Sequence, residues 1–448
     1  MTQPTLKILY GPPGTGKTWK AARDAVRLIY PTVLDSAVLT EHKRLVESKR
    51  IIWVTFHPSY SYEDFVEGFR PVKDADGKVI YVPKPGPFRL LCSEPPKRLA
   101  DFFYVDQIIK SDTSNEFTII EVANRSLVAK KNSGKGAGQY SPISFWLVEQ
   151  LLENGLSYSS FSISGTNHQF AQQLVDQIGV TKSAVDGVMA ALRAVMYHLQ
   201  LEGWPANTAS PSRVLVIDEI NRADLSRVFG ELITLLEPDK RIGCRDERQV
   251  LLPYSQEQFG VPENIHIIGT MNTADRSLTL MDHALRRRFE FEEVAPEPSM
   301  CKGGYGGVDL EQILTKWNHR ISALLSRDHR IGHAYLMQEK LERARNEGKF
   351  PDNVDGQLKA ISLAIRRNIV PLLIEYFHSD WRKADIVLGR NFTKNQGGLL
   401  EAVSFKDIED AVGEVMDLGE VTNFVLPDFW DPFSSKWDAV KFSNALNG

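Results

Sequence analysis

The chain is short of cysteine, of long apolar runs and of surplus positive charge, and each shortage removes a class of function. Its three cysteines, Cys92, Cys244 and Cys301, lie far apart and form no CxxC pair. That spacing excludes a disulfide framework and a zinc finger, and it fits a reducing compartment. No apolar run approaches the roughly 18 residues that cross a bilayer. The first residues lack the apolar core of a signal peptide, so a cytoplasmic protein is expected. The formal net charge is −4. A generally basic nucleic-acid coat is thereby excluded, and any DNA contact must come from a local patch or a ring pore. The histidines show no HExxH or similar spacing, so a catalytic zinc is not expected.

What remains is an ordinary globular composition, 42% hydrophobic and 25% charged over 448 residues, enough for two to three domains. Strands alternate with helices. TLKILY (5–10), IIWVTF (51–56), RVLVIDEI (213–220) and NIHIIGTMN (264–272) read as buried strands. Residues 17–28, 36–49, 224–237 and 280–289 read as helices. This alternation predicts an α/β fold with a parallel sheet, its ligands at the carboxyl ends of the strands. Residues 57–72 read as a polar, aromatic loop with a short helix. Gly77, Pro83, Pro85, Gly86 and Pro87 then mark turns. The segment 239–253 reads as a charged hairpin, and the glycine-rich stretch 303–307 as a hinge.

Four motifs carry chemistry. Gly11, Pro12, Pro13, Gly14, Thr15, Gly16, Lys17 and Thr18 make a complete P-loop after a strand and before a helix. The glycines let backbone N–H groups face phosphate, Lys17 neutralises β/γ charge and the Thr18 hydroxyl holds Mg²⁺. VLVIDEIN (214–221) is an apolar strand ending in two carboxylates, a Walker B segment. Asp218 is expected to hold Mg²⁺ and Glu219 to polarise the attacking water as general base. GTMNTADRS (269–277) offers Asn272 as a sensor touching the γ-phosphate or the lytic water, and Asp275 to orient Asn272 or a neighbouring subunit's arginine; an Asn/Asp turn satisfying its own backbone is the plainer reading. ALRRRF (284–289) offers Arg287 and Arg288, and less directly Arg286, as an arginine supplied to a neighbouring subunit's phosphate. A solvated basic helix end is the alternative. Asp282 is a salt-bridge anchor or a partner-sensing residue.

These motifs, in this order and spacing, resemble the motor of the McrB-type AAA+ GTPases of modification-dependent DNA restriction systems. FHPSYSYEDFVEGFRP (56–71), RIGHAYL (330–336) and PLLIEYF (371–377) strengthen the likeness, which covers roughly residues 5–95 and 211–380. The resemblance implies an AAA+ P-loop NTPase with an inserted α+β domain and a C-terminal helical lid. The expected parts are a core over 1–96, an insertion over 97–210, a second core part over 211–302, and a lid and tail over 303–448. It also implies Mg²⁺ with GTP, a hexameric ring and an McrC-like nuclease subunit, so that the ring powers DNA translocation in defence against foreign DNA. This chain is not expected to be the nuclease.

Two departures stand out. The P-loop starts ten residues from Met1, so no DNA-reading domain is expected ahead of it. The insertion also has no counterpart in the family pattern. The chain lacks an NKxD guanine-reading motif, which leaves ATP open. A MoxR-like AAA+ chaperone that remodels a protein shares the same motor chemistry and is the rival reading. Within the insertion, Arg125, Lys130, Lys131 and Lys135 lie near Tyr140, Phe145 and Trp146. That mixture suits nucleic acid, a partner protein or mere elaboration. Asp35 with Glu41-His42-Lys43 mimics a D…ExK nuclease spacing and is read as chance, because it falls inside the motor.

Overall fold

A computed structural model describes residues 4–73, 77–93, 99–111, 115–123, 126–134, 136–153, 188–202, 211–274, 283–378, 380–389, 401–403, 423–425 and 430–447. The described strands are β1 (Leu6–Gly11), β2 (Ile51–Thr55), β3 (Glu67–Lys73), β4 (Val79–Pro85), β5 (Ile108–Lys110), β6 (Glu116–Val122), β7 (Ser126–Lys131), β8 (Tyr140–Ser144), β9 (Arg213–Asp218), β10 (Val250–Leu251), β11 (Gln258–Phe259), β12 (Ile265–Asn272), β13 (Glu290–Glu293), β14 (Glu401–Val403) and β15 (Asn423–Val425). The largest sheet has five strands in the order β13-β1-β12-β9-β2. β9 runs parallel to both β12 and β2. Val214, Leu215, Val216 and Ile217 of β9 are all fully buried, as a parallel strand covered on both faces requires. The fold is α/β, as the alternation of strands and helices predicts.

The chain divides into two compact units. One comprises residues 1–7, 19–269 and 279–290; the other comprises 8–18, 270–278 and 291–448.

In the first unit, the region between β2 and β9 holds two additions. The nearer is an antiparallel ribbon, β3 against β4, with seven register pairs from Glu67↔Pro85 to Lys73↔Val79. Pro83 and Pro85 read as turn markers and Pro71 fell in the loop read over 57–72; instead all three lie on a two-stranded ribbon whose outer edges need no N–H donor. The farther addition is a four-stranded antiparallel sheet, β5-β6-β7-β8, with helices Phe145–Glu153 and Met189–Leu201. Phe103, Phe117, Ile119, Leu151 and Leu192 share its separate apolar core.

This block is anchored by buried charge. Glu41, fully buried, accepts from Arg44 Nε at 2.9 Å and from the Val105 N–H at 2.7 Å. Arg44 also donates to the carbonyls of Ala100 and Phe103 and to the Tyr30 hydroxyl. Arg50 reaches the same hydroxyl and the Ser212 carbonyl. Asp35, for its part, takes Arg23 at 2.8 Å and Arg27 at 2.5 Å. The nuclease-like spacing is therefore absorbed by structural contacts, in keeping with its reading as chance.

The segment 224–237 is not one helix. Asp224 caps a short helix, Leu225–Phe229, by accepting from Ser226 and Arg227 N–H groups. Gly230, at φ +53, ends it, and a 3₁₀ helix runs over Gly230–Leu236. The expected hairpin over 239–253 is displaced, because β10 pairs with β11 at 258–259. Arg241, fully buried, closes this stretch by donating to the carbonyls of Leu236, Pro262 and Ile265. Burial pushes its guanidinium down to about 10.

The second unit is mainly helical beyond β13. Helices Leu310–Leu324, Gln338–Glu347, Val354–Ala364, Val370–Tyr376 and Trp381–Leu388 surround Trp317, Trp430 and Phe442. A π-helical turn at Ile365–Ile369 precedes Pro371. Proline cannot donate the next helical bond, and its ring crowds the preceding turn. The stretch 303–307 is a packed turn rather than a loose hinge. Tyr305 is buried there and donates to Glu342 at 2.8 Å.

Candidate functional site

The P-loop is held in shape by its own backbone and by the start of the lid. Lys17 is 7% exposed, and its ammonium donates to the carbonyls of Gly11 (2.9 Å) and Pro12 (2.7 Å). The Thr15 hydroxyl donates to Pro12. The N–H of Gly332 donates to the Pro13 carbonyl at 3.1 Å, and that of Ala334 to the Gly14 carbonyl at 3.0 Å. This approach leaves no room for side chains. A Cβ on Gly332 would sit 2.0 Å from the Gly14 carbonyl carbon, and one on Gly14 would lie 2.5 Å from the Tyr335 ring. RIGHAYL is thus a backbone clamp on the P-loop. Buried Asn318 fixes the clamp from behind, accepting from the Ile331 N–H at 2.6 Å and donating to the Ile331 carbonyl at 2.9 Å. His333 accepts from the Glu297 N–H at 3.1 Å, and burial holds its pKa below the ordinary value.

Asn272 ends β12. The next residue, Thr273, donates its N–H to the Gly11 carbonyl at 3.1 Å and its hydroxyl to the Asp328 carbonyl. The amide is therefore placed at the strand end where the P-loop begins. Asp275 and Asp282 lie outside the described residues.

In the other unit β9 delivers Asp218 and then Glu219. The Phe56 N–H donates to the Asp218 carbonyl at 2.9 Å. Glu219 stands in the left-handed region, φ 54° and ψ 46°. A non-glycine residue held there costs on the order of 1–3 kcal/mol and persists only where its surroundings impose it, a frequent circumstance at active sites. The turn is closed by the Arg222 N–H donating to the Glu219 carbonyl, and the Arg222 side chain lies 3.3 Å from the carboxylate. The sequence offered no sign of this backbone state.

The arginine cluster is split by its surroundings. Arg288 has a side chain 5% exposed and ion-paired with Glu237, whereas the Arg287 side chain is 70% exposed and 3.8 Å from the same carboxylate. Arg286 is exposed as well.

The loop SYSYEDF packs against the segment just beyond β9. Phe65 stacks on Phe88 (5.1 Å) and meets Phe229 edge-on (4.9 Å). The Tyr62 hydroxyl donates to Glu231 at 3.0 Å. The loop therefore positions the chain after Glu219.

Two family models match. One, an AAA domain of the dynein-related subfamily, covers residues 145–289. The other, the McrB alpha-helical lid domain, covers residues 309–385. Over these two stretches the chain is similar to McrB-type AAA+ proteins. The type IV methyl-directed restriction enzyme EcoKMcrB subunit of Escherichia coli is 39% identical over 189 residues, which is 37% of this chain and 37% of that protein. The type II restriction enzyme BsuMI component YdiS of Bacillus subtilis is 35% identical over 152 residues, 29% of this chain and 43% of that protein. The chain thus spans less than half the length of each of these relatives. The AAA match opens inside the stretch 97–210, and the lid match takes in the RIGHAYL clamp.

The donor set suits a hard cation. A Thr hydroxyl and an Asp carboxylate are the oxygen ligands Mg²⁺ takes beside nucleotide phosphates. Among the described residues no three His, Cys, Asp or Glu side chains gather in a metal-binding group. No described helix is long and apolar enough to cross a membrane.

Proposed function

We propose that the chain hydrolyses a purine nucleoside triphosphate, GTP in preference to ATP, as the motor of a hexameric ring that moves DNA for an McrC-like nuclease subunit. The P-loop glycines and Lys17 bind and orient the β/γ-phosphates. Thr18 and Asp218 would hold Mg²⁺, which neutralises phosphate charge when bound. Glu219 takes the proton of the attacking water, and Asn272 aligns that water. Arg287, free to reach outward, is our choice for the arginine given to a neighbouring protomer; Arg288 keeps its own helix end in place through Glu237. Asp275 would orient Asn272.

The observation that carries the reading is Glu219, a carboxylate fixed in a left-handed turn at the end of a buried strand, in a chain whose P-loop is clamped by an McrB-type lid. The relatives' names, both restriction-enzyme components, support the DNA role. The MoxR-like alternative keeps the motor and replaces DNA by a protein client.

The test is phosphate release by the full chain with GTP and with ATP, alone and with an McrC-like subunit and DNA. Lys17→Ala should lower turnover on the order of 100-fold or more, as loss of one charged donor to the transition state does. Glu219→Gln should keep nucleotide bound while turnover falls by about 10²–10⁴, the usual share of a general base. Absence of hydrolysis of either nucleotide under every condition would reject the proposal. Stimulation by a protein client alone would favour the chaperone reading.

A further inference from the structure

Glu237 stands between the two arginines that the fold treats differently. Its carboxylate pairs with the nearly buried Arg288 and lies 3.8 Å from the guanidinium of Arg287, whose side chain is 70% exposed. The backbone that carries the arginines is fixed. The N–H groups of Arg288 and Phe289 donate to the Leu285 carbonyl at 2.9 and 3.3 Å, and Leu285 and Phe289 are buried. Arg287 is thus an outward side chain on an anchored turn. A long side chain in solvent carries rotamer entropy that any ordered contact must overcome. A group that orders it beforehand leaves less to lose when it meets a phosphate.

Glu237 closes the segment that begins at Glu219. After the left-handed Glu219 and the 3₁₀ turn Ile220–Arg222, Asp224 caps the helix Leu225–Phe229, and Gly230 bends the chain into the 3₁₀ helix Gly230–Leu236. Leu225, Val228, Phe229, Leu232, Leu235 and Leu236 are all buried. The segment is braced at its bend and at its end. A Cβ on Gly230 would lie 3.3 Å from the Tyr62 ring, and the Tyr62 hydroxyl donates to Glu231 at 3.0 Å. Buried Arg241 donates twice to the Leu236 carbonyl, at 3.1 and 3.0 Å, and the Lys240 N–H donates to the Glu237 carbonyl at 3.0 Å. The carboxylate beside Arg287 is therefore placed by a packed strut whose other end is Glu219.

Magnitudes decide how the pair works. An ion pair with an exposed partner adds little to stability, whereas an arginine given to a transferring phosphoryl group is worth about 10³–10⁵ in turnover. Glu237 can hold Arg287 in place without competing with a triphosphate for it.

We infer that Glu237 is a positioning residue, which orders Arg287 for the phosphate of the neighbouring protomer at a place fixed by the strut from Glu219. The inference rests on the ring motor with an arginine given in trans, and adds the group that sets the arginine's aim. The experiment mixes two full-length variants and follows phosphate release. Arg287→Ala protomers keep Glu219 and lack the arginine; Glu219→Gln protomers keep the arginine and lack the base. Turnover restored in the mixture comes from Arg287 of the second acting on nucleotide of the first. Glu237→Gln, which removes the charge and keeps an oxygen for Arg288, is then added to one partner at a time. In the Glu219→Gln protomers it should lower the restored kcat by roughly tenfold, within the range for coupled neighbours, with KM unchanged, as for a contact made only in the transition state. In the Arg287→Ala protomers, where no arginine is left to order, the effect should stay within about twofold.

Melting curves confirm that each variant is folded. Should Glu237→Gln melt below the assay temperature, Glu237→Asp replaces it; that carboxylate stays charged for Arg288 but is one methylene further from Arg287, and its smaller loss should fall on the same protomer. Equal loss from either placement would mark a merely structural residue and overturn the inference, as would full restored turnover with Glu237→Gln in the arginine-giving protomer. A mixture that restores nothing before Glu237 is changed would strike the trans arginine itself, and the role of Glu237 with it, so the two failures are distinguishable.

Discussion

The anchor around Glu41 and the β3–β4 ribbon both concentrate charge, and they treat it in opposite ways. In the anchor, Glu41 and Arg44 are withdrawn from water, and their described contacts are short bonds to N–H, carbonyl or hydroxyl groups. In the ribbon, Lys73 and Lys84 are exposed on a frame rooted at Glu67, and Arg70 pairs with Asp64 at 2.8 Å on the surface. Charges that are satisfied inside specify how segments meet, because removing one partner strands the other in a low dielectric. Charges that are offered outside add little to stability and are available to a ligand. The same division runs through ALRRRF, where Arg288 is withheld and Arg287 offered.

That neighbouring pair is the sharpest way to break the comparison. Arg287→Ala should lower turnover of the assembled protein by about 10³ or more, the range for an arginine given in trans, with little change in melting temperature. Arg288→Ala should lower the melting temperature through Glu237, with a smaller effect on turnover per folded protomer. Mixing experiments extend the test: Arg287→Ala protomers should be rescued in part by Glu219→Gln protomers, since each supplies what the other lacks. If Arg288→Ala alone erased turnover in a fully folded protein, the offered and withheld roles would be exchanged.

A smaller effect, on stability, is expected in the anchor. Glu41→Ala leaves Arg44 buried without its carboxylate, which costs about 3–5 kcal/mol. Lys73→Ala, on the ribbon, should stay within about 0.5 kcal/mol. Denaturant unfolding of the full chain compares the two, and limited proteolysis should show cleavage near residues 99–105 in the first variant alone. Equal stability for both would mean the anchor is not what joins the insertion to the core.

These contrasts also mark what was legible in the sequence. The α/β class, the core strands and the P-loop motif could be read because buried parallel strands are near-continuous apolar runs and phosphate loops need fixed residue types. The division between Arg287 and Arg288 could not, since adjacent residues on a helix end are sorted by whatever packs nearby, here Glu237. The ribbon was hidden because Pro83 and Pro85 signal turns unless a strand has free edges. Glu219's left-handed backbone is imposed by the turn to Arg222 rather than by its own preference. The clamp of Gly332 on Gly14 joins residues more than 300 positions apart in the chain, beyond any local pattern.

The smallest effect expected is on pH dependence, and it turns on another withheld group. His266 lies in β12, 1% exposed, and its Nδ1 accepts from the Thr5 N–H at 3.0 Å. Burial, aided by the charge of Arg241, lowers its pKa from 6.5 to about 4. The folded protein therefore keeps the ring neutral where the unfolded chain would protonate it. Stability from this group is complete above pH 6.5 and is lost as pH falls from 6.5 towards 4. The full loss is roughly 3 kcal/mol at about 1.4 kcal/mol per pKa unit. His42, His198 and His333, also lowered by burial, tilt the profile the same way. His266→Gln, whose amide oxygen can accept from Thr5, should flatten the fall in unfolding free energy between pH 6.5 and 4 while leaving the slope due to the other histidines. An unchanged profile would mean that His266 is protonated in the folded state, and that the Thr5 bond is not what the interior of β12 requires.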